Sequence, residues 1–203
     1  MPDPKVVLDD DTMRRTLTRI AHEIVENGGE PDKLALVGIH RRGAVLAARL
    51  RELLSELHDL AVPLGDLDIA FYRDDVTLRG GTPVVHSTHL DFDIDGRTIV
   101  IVDDVLFTGR TVRAAIEALF DYGRPKRVQL AVLVDRGHRE LPLRPDYVGK
   151  NLPTARSERV YVRVGELDGE DSVTIQEYRP LARPDGKPLV QSAPPDAPRE
   201  TLL

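Results

Sequence analysis

Two adjacent carboxylates, Asp103 and Asp104, lie between an apolar run and a hydroxyl-rich turn in the segment 99–111. The β-branched run 99–102 predicts a strand buried on both faces, and residues 111–122 predict a helix. Because the turn opens a helix, its free backbone N–H groups and threonine hydroxyls can bind a phosphate dianion. The carboxylates are expected at the carboxyl end of a parallel strand, where they can accept hydrogen bonds from a vicinal diol. The segment therefore predicts a site for a phosphorylated sugar.

Two common phosphate-binding motifs are absent from the sequence. No Lys-Ser or Lys-Thr pair follows a glycine at the P-loop spacing, and the dinucleotide fingerprint G-x-G-x-x-G does not occur. Triphosphate and dinucleotide interpretations are therefore disfavoured. An ordinary strand and helix joined by a polar turn would require the acids, the glycine and both threonines to coincide by accident.

The same segment resembles the phosphoribosyl pyrophosphate (PRPP) signature of the type I phosphoribosyltransferases. In that family the two acids hold the ribose hydroxyls, and the loop that follows holds the 5′-phosphate. The resemblance implies a PRPP-binding segment made of Asp103, Asp104, Val105, Leu106, Phe107, Thr108, Gly109, Arg110 and Thr111. We also expect Mg²⁺ at Asp103 and Asp104, shared with the diphosphate of PRPP.

Two further segments carry arginines that suit a diphosphate. Arg41 and Arg42 follow a predicted strand and begin a predicted helix, so they form a second anion-binding corner. The family resemblance implies a diphosphate there, although arginines at a helix start are also common on ordinary surfaces. The polar stretch 73–92 carries Arg73 and Arg79 and predicts either a solvated hairpin or a mobile lid over PRPP. In the lid interpretation Arg79 binds PRPP and Arg73 assists catalysis by placing a cation over the leaving group.

Helical and strand patterns alternate along the chain. Apolar spacing predicts helices over 13–25 and 43–57, core strands over 34–39, 67–72 and 128–134, and an edge pair over 160–164 and 173–178. This alternation favours an α/β fold with a mostly parallel sheet flanked by helices. The family resemblance implies the type I phosphoribosyltransferase fold, with a small hood and a flexible loop.

Length and composition suit one domain with a proper core. The chain has 203 residues, is 41% hydrophobic, contains no cysteine and carries a net charge of −6. The acidic balance argues against indiscriminate nucleic-acid binding but allows a local basic patch. Neither a signal-like N-terminus nor an apolar run of roughly 18 residues occurs, so we expect a cytoplasmic protein with no membrane partner.

The segment 180–203 differs from the rest of the chain. It contains six prolines in 24 residues and almost no periodicity. Such a segment cannot bury enough apolar area to offset its ordering entropy. We therefore expect a catalytic domain over 1–179 and a disordered Pro-rich tail over 180–203, with a peptide ligand for a partner as the alternative.

A second and sharper resemblance concerns the base. The segments 135–142 and 146–154, together with the order Thr-Arg-Ile-Ala-His-Glu at 18–23, resemble the PyrR family. Its members are regulators of pyrimidine operons that are also uracil phosphoribosyltransferases. The resemblance covers nearly all of the chain before the tail. It implies PRPP and uracil as substrates and UMP as product, with the base below the loop around Arg136 and framed by backbone near Val160.

The PyrR resemblance also implies binding to a stem-loop in pyrimidine-operon mRNA, strengthened by UMP in the active site. Residues 136–163 carry seven Lys or Arg against three Asp or Glu, a local basic excess in an acidic chain. The candidate RNA contacts are Thr18, His22, Arg139, Arg144 and Lys150. Each of these side chains could instead be an ordinary solvated surface residue.

The combined interpretation is a displacement at C1 of PRPP by uracil, in which positioning and charge supply most of the rate. Two other interpretations stay open. One is a type I enzyme active only in base salvage, and the other is an RNA-binding regulator that keeps the pocket as a nucleotide sensor. We expect a homodimer or a higher homo-oligomer.

Overall fold

The computed structural model describes residues 4–69, 72 and 88–177. The strands are β1 (Lys5–Leu8), β2 (Leu34–Ile39), β3 (Leu64–Leu67), β4 (Thr98–Leu106), β5 (Arg127–Asp135), β6 (Tyr147–Asn151), β7 (Glu158–Arg163) and β8 (Ser172–Glu177). The helices are α1 (Asp10–Asn27), α2 (Arg42–His58), α3 (Arg110–Phe120) and the single turn α4 (Gly165–Asp168). No helix in these described ranges is both long enough and apolar enough to cross a membrane.

Five parallel strands form the central sheet, in the order β3-β2-β4-β5-β6. Strand β4 occupies the middle and is buried on both faces. Its side chains alternate between two apolar clusters: Val100 and Val102 pack with α1 and α2, whereas Ile99 and Ile101 pack with α3. This is the period-two division expected of a strand covered by helices on both sides. The predicted α/β fold with a helix-flanked parallel sheet is confirmed.

A second, smaller sheet contains β1, β8 and β7 in that order, with both pairs antiparallel. We call these strands, together with α4, the hood. The predicted edge pair over 160–164 and 173–178 is confirmed as β7 and β8. The short strand β1, which joins β8, was not predicted.

Two predicted strand boundaries are wrong, and one further strand was not predicted. The strand predicted over 67–72 is β3, which ends at Leu67 because only Leu64–Leu67 pairs with β2. The central strand continues past Val102 to Leu106, since β5 pairs with it as far as the Leu106–Asp135 pair. Strand β6, which pairs with β5 from Tyr147 onward, is the further strand that was not predicted.

The start of α1 illustrates how local chemistry sets the elements. Asp9 lies at its N-cap, and the Asp9 side chain accepts a hydrogen bond from the backbone N–H of Thr12 at 2.9 Å. Hydrogen bonds from the Thr12 side chain and, to a smaller extent, from the Thr12 backbone lower the pKa of Asp9. The apolar face of the helix, which includes Met13 and Leu17, is buried against the sheet. Capping and burial together explain why the helical spacing in the sequence identified this element correctly.

Arg49 joins α2 to the hood through two carboxylates. Its guanidinium donates to both oxygens of Glu166 at 2.8 and 2.6 Å and to both oxygens of Asp171 at 2.6 and 2.8 Å. The hydrogen bonds from Arg49 lower the pKa of both carboxyl groups. We call Arg49, Glu166 and Asp171 the hood clamp.

Replacing Arg49 with Met should make the free energy of unfolding depend less on pH between pH 7 and pH 3. Because Glu166 and Asp171 have lowered pKa values in the folded protein, the clamp stabilises above their unfolded pKa values. That contribution is lost as pH falls through the folded values. We expect Arg49→Met to lower the free energy of unfolding by about 1–3 kcal/mol at pH 7 and by less near pH 3. Denaturant titrations at both pH values measure this, and an equal loss at both would contradict it.

Candidate active site

The two acids lie inside β4, near its carboxyl end, and not in the turn that follows it. Asp103 is buried, with 6% of its surface exposed. Its carboxylate accepts a hydrogen bond from the backbone N–H of Asp104 at 3.0 Å, and the Asp104 carboxylate accepts one from Val105 N–H at 2.9 Å. Both carboxylates are therefore oriented by the backbone of their own strand.

The electrostatic environment of Asp104 is unusual for an aspartate. Burial raises the pKa of its carboxyl group, and the charge of Arg42 at the start of α2 opposes that rise. An anion held where water is scarce interacts strongly with a ligand's hydroxyl groups or with a cation. Perturbed acids of this kind are typical of functional sites.

The turn after β4 has the geometry of a phosphate site. Gly109 precedes α3 with a φ of 94°, in the left-handed region that favours glycine. The first turn of the 11-residue helix α3 presents backbone N–H groups without intrahelical acceptors. Backbone N–H groups of Glu140 and Leu141 hold the carbonyl of Thr108 at 3.0 and 3.2 Å. These two hydrogen bonds fix the loop from the segment that follows β5.

The second anion-binding corner lies where β2 ends and α2 begins. Arg41 is exposed at the N-cap of α2, and the His40–Arg41 peptide bond is cis. The side chain of Arg42 donates to Asp168 in α4 at 2.8 Å. Gly43 allows the helix to approach β4 closely, since a Cβ there would lie 2.4 Å from the carbonyl oxygen of Val102.

His40 belongs to the same corner and was not singled out from the sequence. Its Nε2 lies 2.5 Å from Oδ1 of Asp66 in β3, and Nδ1 of His89 lies 3.2 Å from the same oxygen. Asp66 therefore orients His40 beside the start of α2. Only the pairing of β2 with β3 brings these residues together, so no sequence pattern indicated the contact.

The proposed base end of the site contains Arg136, which is 3% exposed. Its guanidinium lies over the ring of Phe107, 4.2 Å from the centroid, and donates to the carbonyl of Glu158 at 2.7 Å. Val160 is 1% exposed, with its side chain in the core, so only its backbone is available to a ligand. Within the described residues β7 is an edge strand of the hood sheet, and its Glu158 carbonyl is the acceptor for Arg136.

The RNA candidates fall into separate groups. Thr18 and His22 lie one turn apart on α1, and Lys150 lies exposed on the edge strand β6. Helix α1 contacts β6 directly, because Arg19 donates to the carbonyls of Val148 and Gly149 at 2.9 and 2.7 Å. Thr18, His22 and Lys150 are therefore carried by two adjoining elements.

His22 has a partner that was not predicted. Nε2 of His58, at the end of α2, lies 2.9 Å from Nδ1 of His22, and the two rings pack edge to face. Arg144 is exposed and follows Leu143, which packs on the α3 face of the sheet. Helix α1 packs on the opposite face of the sheet. Arg144 and the candidate RNA contacts on α1 therefore lie on either side of the β6 edge.

Arg139, another of the candidate RNA contacts, forms hydrogen bonds within the protein. Its guanidinium donates to the Asp135 carboxylate at 2.5 Å and to the carbonyl of Phe107 at 2.8 Å. A third hydrogen bond, from Nε, reaches the carbonyl of Leu143 at 3.2 Å. Arg139 thus joins the end of β5 to the loop after β4, because the fold brings the carbonyl of Phe107, which is distant in sequence, within reach of its guanidinium.

Some predictions concern parts of the chain outside the described residues. These are the roles of Arg73 and Arg79, most of the proposed lid and the tail 180–203. They remain predictions.

Comparison with known proteins identifies the family. Residues 6–164 match the phosphoribosyl transferase domain. The chain is 60% identical over 165 residues to the "Bifunctional protein PyrR" of Roseiflexus sp. (strain RS-1), an alignment that covers 81% of this chain and 90% of the relative. The protein of the same name from Thermus thermophilus is 59% identical over 165 residues, covering 81% and 91%.

Solved structures agree on the fold. A hypoxanthine-guanine phosphoribosyltransferase from Bacillus anthracis superposes with a TM-score of 0.64 at 18% identity, over 84% of this chain and 96% of that chain. The hypoxanthine phosphoribosyltransferase of Trypanosoma cruzi in complex with IMP also gives 0.64, at 21% identity and 87% and 94% coverage. The solved structures, together with the geometry of β4 and α3, show that the chain has the type I phosphoribosyltransferase fold. The relatives at 59–60% identity show that it belongs to the PyrR family.

Proposed function

We propose that this chain transfers the phosphoribosyl group of PRPP to uracil and, with UMP bound, binds a stem-loop of pyrimidine-operon mRNA to lower expression of the operon. One observation supports the transferase half above all. Strand β4 contains two aspartates with oriented side chains, and it is followed by the start of α3, which suits a phosphate. The regulatory half is supported by relatives at up to 60% identity whose name is "Bifunctional protein PyrR".

Each part of PRPP has a matching feature. The 5′-phosphate suits the N–H groups at the start of α3, and the ribose diol suits Asp103 and Asp104. The diphosphate suits the start of α2, with the exposed guanidinium of Arg41 and the adjacent Arg42. Uracil suits the region below the loop around Arg136, framed by the backbone of β7 near Val160.

The chemistry follows from this placement. As N1 of uracil bonds to C1 of the ribose, the bond from C1 to the diphosphate oxygen breaks, the N1 proton is released to water or to the departing diphosphate, and positive charge develops on the sugar. Asp103 and Asp104 orient the ribose and stabilise that charge, while the α2 corner stabilises the negative charge of the leaving diphosphate. No covalent intermediate with the protein is needed, since positioning supplies much of the rate.

The donor set fits Mg²⁺. Within the described ranges no cluster of three or more His, Cys, Asp or Glu side chains could hold a metal on its own. Mg²⁺ is bound by one or two carboxylates together with substrate phosphates, which Asp103, Asp104 and PRPP can supply. When bound with PRPP, Mg²⁺ would neutralise charge on the diphosphate.

Replacing Asp103 with Asn should impair turnover more than folding. The amide keeps the size of the side chain but removes the charge that faces the developing cation. We expect kcat/KM for uracil and PRPP to fall by about 10²–10³-fold. Steady-state assays measure this, with Glu117→Gln on the exposed face of α3 as a charge-matched control. Full activity of Asp103→Asn would contradict the role.

In the absence of divalent cations, replacing Asp104 with Asn should increase the free energy of unfolding at neutral pH. Burial raises the pKa of Asp104, so its ionised form opposes folding above that pKa. The penalty is absent below the unfolded pKa, where both states are protonated. The introduced amide oxygen would still accept from Val105 N–H, so we expect Asp104→Asn to unfold at higher denaturant at pH 7.5 in EDTA. The gain should disappear near pH 3, and lower stability of the variant at pH 7.5 would contradict the argument.

The proposed RNA surface consists of Thr18, His22, Lys150 and Arg144 around the β6 edge. Exposed basic groups at this edge can contact phosphates without base specificity, and the paired imidazoles of His22 and His58 add polar ring nitrogens beside them. A homo-oligomer would join one such surface per protomer into a larger one. Since its proposed RNA partner is a cellular mRNA, we place the protein in the cytoplasm.

A second candidate function is uracil salvage without regulation. The inward orientation of Arg139 favours it, because one of the basic side chains predicted for RNA serves the phosphate loop instead. Binding to RNA separates the two candidates, since salvage requires none.

The RNA half is tested by titrating the protein with its own operon's 5′ leader stem-loop, with and without UMP, at several salt concentrations. We expect UMP to tighten binding, and Lys150→Ala to weaken it and reduce the salt slope by about 1. Lys126→Ala is the matched control, because Lys126 is exposed at the opposite end of the sheet, before β5. Binding no tighter than to a scrambled stem-loop would leave only the salvage function.

A further inference from the structure

Arg42 lies between two carboxylates that come from different parts of the fold. Its Nη2 donates to Oδ1 of Asp168 in the hood at 2.8 Å, and its charge acts on Asp104 in β4. The side chains of Arg42 and Asp168 are only 18% and 21% exposed. The ion pair is therefore screened less by solvent than an ordinary surface pair.

The carboxylate of Asp168 is itself held in place. Its second oxygen accepts a hydrogen bond from the backbone N–H of Val164 at 2.9 Å. Both oxygens are thus committed, one to the hood backbone and one to Arg42. This leaves the Asp168 carboxylate little freedom to rotate and presents a fixed acceptor to the guanidinium.

The hood does not need this ion pair in order to stay on α2. Arg42 and Arg49 are seven residues apart, or about two helical turns, so they lie on one face of α2. Arg49 already binds Glu166 and Asp171 through four hydrogen bonds. With the hood clamp in place, the contact between Asp168 and Arg42 has a more local consequence, which is the position of Arg42.

One hydrogen-bond donor of Arg42 has no acceptor among the described residues. Its Nε is buried and has no hydrogen-bond partner within the described residues. An unsatisfied buried donor costs free energy, and guanidinium groups form their strongest hydrogen bonds with phosphate and carboxylate oxygens. Arg42 also begins α2, the corner assigned above to the diphosphate.

We propose that Asp168 is a positioning residue for phosphoribosyl transfer, which fixes the guanidinium of Arg42 at the start of α2, where the diphosphate of PRPP is assigned. Asp168 touches neither substrate nor the reacting atoms and acts only through Arg42. This inference rests on the proposed function, because it assumes that the start of α2 binds the diphosphate.

The test compares Asp168→Asn with Glu166→Gln. Both variants remove one carboxylate charge from the same hood turn, and both weaken one contact with an arginine of α2. Only Asp168→Asn frees Arg42. The introduced amide oxygen can still accept from Val164 N–H, so the local backbone keeps its hydrogen bond.

We expect Asp168→Asn to raise the KM for PRPP and the Kd for magnesium diphosphate by about 10-fold, with a smaller change in kcat. Glu166→Gln should leave both constants near the wild-type values and reduce only thermal stability. Asp168→Glu should restore part of the affinity, because it returns the charge. Equal effects of Asp168→Asn and Glu166→Gln on KM would show that the contact only holds the hood, and an unchanged KM in Asp168→Asn would also overturn the proposal.

A double-mutant cycle distinguishes a specific effect of Asp168 through Arg42 from a general loss of structure. On an Arg42→Gln background, Asp168→Asn should cause little further loss of diphosphate affinity, because its partner is already absent. Additive losses would overturn the proposal. Diphosphate binding by calorimetry does not require turnover. Absence of UMP formation by the wild-type protein would therefore refute the proposed transferase activity while still leaving the Arg42–Asp168 contact open to test.

Discussion

The position of β4 between β2 and β5 is the constraint on which the rest of the structure depends. Strand pairing with β5 continues to the Leu106–Asp135 pair, so the two acids and the entry to the phosphate loop are held in register with their neighbours. A slip of one residue would exchange the two faces of β4 and turn Val100 and Val102 into the wrong apolar cluster. The same hydrophobic pattern that secures the sheet therefore secures the direction of each carboxylate.

This placement has a cost that the surrounding structure must offset. Asp104 is desolvated, which raises its pKa and makes the charged form unfavourable in the folded protein without ligand. Stability comes instead from the apolar clusters on both faces of the sheet and from contacts such as the hood clamp, which lie away from the acids. Function and stability thus depend on different residues of one sheet, as is common where an active site holds partly buried charge.

The sequence predicted those features that arise from short-range patterns. The strand before the acids, the glycine before α3 and the arginines at the start of α2 are all visible as local residue types. Strand β6 was missed because its five residues are at the sheet edge and only partly buried, so they lack the apolar run of a core strand. The inward turn of Arg139 and the pairing of His22 with His58 were missed for another reason. Each joins residues from separate elements, and a single sequence carries no signal of such contacts.

The two proposed functions share a physical connection at the end of β5. Arg139 ties Asp135 to the carbonyl of Phe107, while Asp135 pairs with Asn151 beside Lys150. A nucleotide that contacts Phe107 therefore meets the same hydrogen-bonded unit that supports the β6 edge. For UMP to strengthen RNA binding, the protein must differ between its nucleotide-free and nucleotide-bound states, because a ligand shifts an equilibrium only through its different affinity for the two states. Linkage then requires RNA to raise the affinity for UMP by the same factor.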